Sequence, residues 1–240
     1  MVASVQVAVA QPTVVAYDVQ TNARTHAEVI RAADARLVVF PELSLTGYNL
    51  DAPTITVDDP RLAPIVAACL EADAVALVGA PVVDPDGREY IATLRVEPNG
   101  VVVAYRKVHL HPPEDDRFAA GATHVVLPLD GWNLGLAICR DASLPAHAAA
   151  TVAAGATVYV ASTLNEPTDP RDERMRDRAA LHRIPVVAAC GAGPDGPLHG
   201  CGGSGFWRTD GSVAAQAGIE PGEVVVIDLR SLVVDRACRD

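Results

Sequence analysis

"WNLGLAICRDASLPAHAAATVAAGATVYVAST", residues 132–163, carries the pattern on which the fold class turns. Its opening, "WNLGLAIC", is an apolar run of buried-strand length. "LPAHAAATVAAGA" reads as a short helix, and "TVYVAST" as a second strand. A strand–helix–strand succession of this kind belongs to layered α/β architectures.

The same alternation continues in both directions. Upstream, "SVQVAVAQ" (4–11) reads as a strand, a helical pattern covers Thr21–Ala35, and "RLVVFPEL" (36–43) is a further strand. Asp59 and Pro60 supply a cap and a first-turn residue for a second helix, "RLAPIVAACLEA" (61–72). "AVALVGAPVV" (74–83) then opens a run of strands punctuated by turns at "DPDG" (84–87) and "EPNG" (97–100). Downstream come an Arg-rich helix, "RDERMRDRAALHR" (171–183), and the strands "IPVVAAC" (184–190), "GSGFWRTDGSVAA" (203–215) and "GEVVVIDL" (222–229). No low-complexity linker divides the chain and no short repeat is visible. The expectation is one mixed α/β domain over residues 1–240.

Composition narrows the class. Half of the residues are apolar but only 4% are aromatic, so the core must be built mostly from Ala and Val, which suits closely packed sheets and helices. A net charge of −11 argues against nucleic-acid binding, which calls for a basic patch. The densest Arg cluster, at 171–183, is interleaved with acids and reads as a charged helix face. The N-terminus lacks the basic start of a secretion signal, and no apolar run approaches the roughly 18 residues of a membrane span. Five cysteines, odd in number and unevenly placed, do not form a disulfide framework. These features predict a soluble protein of a reducing, cytoplasmic compartment.

Among the cysteines, Cys69 lies on a helical apolar pattern, Cys190 ends a buried strand, Cys201 sits among glycines and Cys238 is in the tail. Cys139 differs: it ends the strand "LGLAIC" directly before Arg140 and Asp141. Ligands in open α/β sheets bind at the carboxyl ends of strands, which makes Cys139 a candidate nucleophile. A thiol needs a base or a positive charge beside it. None of the seven histidines falls in a Cys–His signature, so each reads as a surface or satisfied core residue. Glu42, in "FPELSLTGY", stands at another strand end. Lys107, in "VVVAYRKVHLHPPEDDRFAAG" (101–121), is the only lysine beside 18 arginines. A compact ammonium retained in a chain that otherwise uses guanidinium suggests a place where the two are not interchangeable.

Taken together, Glu42 in "VVFPELSLTGY", Lys107 in "YRKVHL" and Cys139 in "GLAICRD" resemble the nitrilase superfamily of carbon–nitrogen hydrolases. The likeness spans nearly the whole chain: "SVQVAVAQP" matches the first strand, "RFAAG" the segment after the lysine, and "GGSGFWRTDGSV" the late G-x-S stretch. It implies a four-layer αββα sandwich, a homodimer or higher homo-oligomer, and a small-molecule amide substrate. No metal or organic cofactor is implied. In the roles so implied, Glu42 is the base, Cys139 the nucleophile, and Lys107 with the backbone N–H of Arg140 the oxyanion hole. Glu114 falls where many members carry a second active-site Glu. The Arg140 side chain, if turned inward, would bind an anionic group on the substrate; the competing expectation pairs it with Asp141 or Asp115.

Several departures accompany the resemblance. "CRDASLPAH" has Leu144, Pro145 and Ala146 where an aromatic-Pro-Glu motif is common, and Cys190 stands where an Asn is common. Arg-Asp follows the nucleophile, rather than the Trp-Glu of true nitrilases, which favours an amidase. The chain is also short for the family. The expected activity is hydrolysis of a small amide, carbamoyl or ureido compound through a thioester. An acyl transferase or nitrilase using the same triad, and a non-catalytic ligand-binding homologue, are the alternatives. A Schiff base on Lys107 would require an apolar pocket, of which "YRKVHLHP" gives no sign.

Overall fold

The computed structural model describes residues 3–234. Cys238 therefore lies outside the described residues. Two six-stranded sheets form the centre. The first is ordered β14-β1-β2-β3-β4-β5 and the second β13-β12-β9-β8-β7-β6. In the first, β1 (Gln6–Gln11), β2 (Leu37–Val39) and β3 (Val75–Val83) are parallel. They are flanked by antiparallel β14 (Glu223–Asp228), β4 (Glu89–Glu97) and β5 (Gly100–Arg106). The second repeats the plan. β7 (Trp132–Ile138), β8 (Val158–Thr163) and β9 (Val186–Cys190) are parallel, with antiparallel β6 (Val126–Leu129), β12 (Gly205–Trp207) and β13 (Val213–Gln216) outside them. A small hairpin, β10 (Ala192–Asp195) with β11 (Leu198–Cys201), leaves the end of β9.

Strand alternation explains why these sheets stack. Side chains point to opposite faces at successive positions. In β1, Val7 and Val9 enter the cluster between the sheets, whereas Ala8 and Ala10 face outward to helices. Leu37 and Val39 of β2, and Leu134, Leu136 and Ile138 of β7, also face inward. Val38, Ala76 and Val78 pack outward beneath α1 (Val19–Ala33) and α2 (Ala63–Ala72). On the other side, Ala137, Tyr159, Ala161 and Ala188 pack under α5 (Arg171–His182), together with Met175 and Ala179 from that helix. The bulkier Val, Leu and Ile thus fill the inter-sheet layer, and small Ala dominates where helices must seat closely. The result is the four-layer αββα sandwich.

Helix boundaries follow local chemistry. The Asp18 side chain accepts the Thr21 N–H, so α1 begins two residues before the expected Thr21 and ends at Ala33. Asp59 caps a 3-10 turn with Pro60 first, which runs into α2. The short α3 (Arg140–Ser143) and α4 (Pro145–Ala153) form the crossover between parallel β7 and β8. Helix α5 is not wholly a solvated charged face: Arg171, Met175, Arg178 and Ala179 are buried. The Arg171 guanidinium donates to the carbonyls of Gly202 and Gly203, which is why a charge so placed is tolerated. Among the described residues, no helix is long and apolar enough to cross a membrane.

Candidate active site

Glu42 follows β2 through Phe40 and Pro41, and a tight turn keeps its backbone against β3. Phe40 N–H donates to Leu77 O at 2.9 Å, and Leu45 N–H to Gly79 O at 3.1 Å. Gly79 is required there: a Cβ at that position would lie 2.4 Å from both Pro41 O and Leu43 N. Lys107 lies just beyond β5, its N–H donating to Ile91 O at 2.9 Å. Glu114 sits in a 3-10 turn (Glu114–Asp116) behind a cis Pro112–Pro113 bond.

These three segments bring their charges together out of water. Lys107 Nζ donates to Glu42 Oε1 and to Glu114 Oε1, both at 2.7 Å, and all three side chains are buried. An ammonium has three donors, so one N–H remains for another acceptor. Glu114 is itself fixed from two sides. Its Oε1 accepts the Tyr48 hydroxyl at 2.6 Å, and its Oε2 accepts the His111 N–H at 2.8 Å. Glu42 Oε2, by contrast, is buried with no hydrogen-bond partner.

Cys139 caps β7 with φ 41° and ψ −97°, a conformation that costs energy for a residue other than glycine. Its thiol points to Leu164 O at 3.5 Å, and Asn165 Nδ2 lies 4.0 Å from Sγ. The following Asp141 holds this turn in place. Its carboxylate accepts the Ile138 N–H, the Tyr105 hydroxyl at 2.7 Å and the His109 N–H at 2.8 Å, with His109 Nδ1 at 2.9 Å. Asp141 is therefore occupied, and the Arg140 guanidinium makes no hydrogen bond or ion pair among the described residues; the expected pairing with Asp141 or Asp115 does not form.

Electrostatics set the resting protonation. Burial pushes the Glu42 carboxyl up to about 7, with the Glu114 charge adding to that effect and Lys107 opposing it. Burial alone would depress the Lys107 ammonium. The surrounding Glu42, Cys139 and Glu114 outweigh it and hold Lys107 above its usual range. Burial and then the Glu42 charge raise the Cys139 thiol well above its ordinary value, against Lys107. At neutral pH the thiol is protonated, beside a carboxyl poised to take its proton. A lysine held this firmly as ammonium is unsuited to Schiff-base formation, which needs the free amine.

His26 and His147 are satisfied core residues, as expected, whereas His182 Nε2 is buried without a partner among the described residues. Burial lowers His26 and His147 to about 4. His26 bonds Asn22 O and Ser44 Oγ; His147 bonds the Tyr105 and Tyr159 hydroxyls.

A cavity of about 680 Å³ opens over this arrangement, lined among others by Tyr48, Glu114, Cys139, Arg140, Asn165 and Arg174. Glu42 and Lys107 lie beneath it, and Leu144, Pro145 and Ala146 do not line it. All four acid–base and thiol positions singled out in the sequence converge here, with Arg140 at the wall. Tyr48, Asn165 and Gly79 were not singled out, and Asp141 was considered only as a partner for Arg140. Gly79 did carry a signal, as a glycine inside an otherwise apolar strand.

Four likenesses to known proteins show the family. The model of the carbon-nitrogen hydrolase family matches residues 2–237. A hydrolase encoded in the pqqF 5' region of Pseudomonas protegens is 33% identical over 212 residues, covering 84% of this chain and 74% of that protein. An (R)-stereoselective amidase of a Pseudomonas species is 33% identical over 210 residues, covering 84% and 76%. The crystal structure of an amidase from a Nesterenkonia species superposes with a TM-score of 0.84 at 26% identity, covering 94% of this chain and 90% of that one. The chain belongs to the carbon-nitrogen hydrolase family, of the nitrilase superfamily. It is a carbon–nitrogen hydrolase, with amidases among its relatives.

Proposed function

We propose that this chain hydrolyses the C–N bond of a small amide, carbamoyl or ureido compound through a thioester on Cys139. The carrying observation is the buried Lys107 ammonium clamped between Glu42 Oε1 and Glu114 Oε1 beneath the cavity that exposes Cys139. Glu42 Oε2 has no partner to give up and takes the thiol proton. The thiolate sulfur attacks the substrate carbonyl carbon, and the developing oxyanion receives the free Lys107 N–H and the backbone N–H of Arg140, an unpaired donor at the start of α3. Glu42 returns the proton to the nitrogen as the C–N bond breaks and the amine departs. Water, deprotonated by Glu42, then adds to the thioester; the acid leaves and the proton goes back to sulfur. Glu114 orients Lys107 and holds its charge.

Cavity chemistry supports an acid-bearing substrate, because Arg140 lines the wall with no partner for its guanidinium. We carry this activity on a single domain, working as a homodimer or higher homo-oligomer. A monomeric mass in light scattering would end the oligomer reading.

The decisive experiment is intact-protein mass spectrometry after rapid acid quench with pooled small amides, ureido acids and nitriles. An acyl increment on the protein that is absent in Cys139→Ala is expected. Neither adduct nor turnover across diverse pools would favour a non-catalytic role.

A further inference from the structure

The end of β9 holds a second sulfur centre that the hydrolytic chemistry does not use. Cys190 is completely buried, Cys201 at the end of β11 is half-buried, and their Sγ atoms lie 3.7 Å apart. Cys201 also lines a cavity of about 440 Å³ beside the first, together with Gly203, Asp172 and Gln216. The buried Arg171 guanidinium, fixed on the Gly202 and Gly203 carbonyls, supplies the positive charge at this point. The hydrogen bond from Cys201 and the Arg171 charge hold the Cys190 thiol below its ordinary range, against burial. The same bond, with burial, holds Cys201 above its own. The pair thus favours one thiolate and one thiol.

We propose that Cys190 and Cys201 are a reversible oxidation site, in which a hydroperoxide entering the smaller cavity oxidises Cys201 and Cys190 closes the disulfide. In the first step the Cys190 thiolate acts as base, taking the Cys201 proton through their hydrogen bond as the Cys201 sulfur attacks one peroxide oxygen. The O–O bond breaks, an S–O bond forms, and the departing oxygen takes from solvent the proton that Cys190 released on ionising. In the second step the Cys190 sulfur attacks Cys201 Sγ, the S–O bond breaks, and water leaves with the remaining thiol proton. Two thiols and one hydroperoxide give one disulfide, one water and one alcohol, or two waters from hydrogen peroxide.

The location gives the oxidation something to act on. Cys201 N–H donates to Asn165 O at 2.8 Å, and Gly191 N–H donates to Thr163 O at 3.0 Å. The intervening Leu164 O receives the Cys139 thiol. A covalent bond between β9 and β11 is therefore formed beside the loop that faces the nucleophile.

The test uses the full chain with Cys139→Ala, so that the nucleophile cannot contribute. Peptide 184–208, bounded by Arg183 and Arg208, contains both cysteines and is released whole by trypsin. The chain is treated with stoichiometric hydrogen peroxide, alkylated while denatured, and digested. The expected result is a peptide lighter by two hydrogen atoms, carrying no alkyl group, that returns to the doubly alkylated form after dithiothreitol. The additional Cys201→Ser change should abolish that species while Cys69→Ser leaves it intact. Doubly alkylated peptide throughout the peroxide titration would overturn the proposal, as would stable oxygen adducts on Cys201 with Cys190 still alkylated. Circular dichroism of each variant separates loss of the reaction from loss of the fold.

Discussion

The carboxylate of Asp141 accepts the backbone N–H of His109 at 2.8 Å, tying the turn that presents Cys139 to the segment that presents Lys107. The two segments come from different sheets: Lys107 follows β5 and Cys139 ends β7. One buried side chain therefore sets the distance between the thiol and the ammonium.

Replacing Asp141 by Ala would leave the Ile138 and His109 N–H groups without their acceptor, and the Tyr105 hydroxyl with His147 Nε2 alone. Each unsatisfied buried group costs about 1–3 kcal/mol. Urea unfolding should register a loss of that order or more. Turnover should fall further than the folded fraction does; equal losses would mean that Asp141 only stabilises the fold.

With the Glu42 carboxyl pushed up to about 7, the base is protonated and inactive below that pH and available above it. The expected kcat/KM rises with pH and levels off above about 7. Glu42→Gln should lower it by about 100- to 10,000-fold, the range for loss of a general base. A flat profile from pH 5 to 9 would remove Glu42 from that role. Stability moves the other way. The folded chain keeps a proton on Glu42 that the unfolded chain, with an ordinary carboxyl near 4.5, has released, so stability falls as pH rises through that interval. The urea midpoint of Glu42→Gln should lack this component.

Lys107→Met removes the cation between two buried carboxylates. Breaking a buried ion pair from one side costs about 3–5 kcal/mol, so a large drop in melting temperature is expected at neutral pH. The loss should shrink in acid, where the Glu42 carboxyl is protonated. Lys107→Arg preserves charge but places a broad planar group where a point donor stood. Activity should fall by about 100- to 1000-fold even in protein that remains folded.

Gly79→Ala introduces a Cβ at 2.4 Å from Pro41 O and Leu43 N, atoms that cannot rotate away. Overpacking of this kind costs about 1–3 kcal/mol. Because the displaced backbone carries Glu42, kcat should fall without a matching change in the reactivity of Cys69. Unchanged kcat in a stably folded variant would show that the Glu42 turn tolerates displacement.

Arg140→Met should reduce kcat/KM for amides bearing a carboxylate and leave neutral amides of similar size nearly unaffected. Equal losses on both classes would exclude Arg140 from substrate recognition.

The sequence was informative where the chemistry is local. Strand alternation in "SVQVAVAQ" and "TVYVAST", the Asp59–Pro60 cap and the turn glycines lie in contiguous residues, and the elements they indicate are present. The solitary Lys107 and the strand-end positions of Glu42 and Cys139 pointed to residues that meet in space. Tyr48, Asn165 and Asp141 could not be read in that way. Their partners are Glu114, Cys139 and His109, and nothing in the spacing of a single chain reveals contacts 26 to 66 residues apart. The buried side of α5 was likewise hidden, since Arg171 is satisfied by carbonyls of a glycine segment some thirty residues later.

The alanine faces of the two sheets have a consequence for how this enzyme tolerates change. Ala8, Ala10 and Ala76 on one side, and Ala137, Ala161 and Ala188 on the other, meet helices, whereas the reacting groups stand at the ends of the strands. Enlarging one of those alanines wedges a helix outward and makes the chain easier to melt, yet leaves the carboxylates and the thiol in register. Damage to durability and damage to chemistry are thus separated by layer, and a variant can lose much of the first before it loses the second.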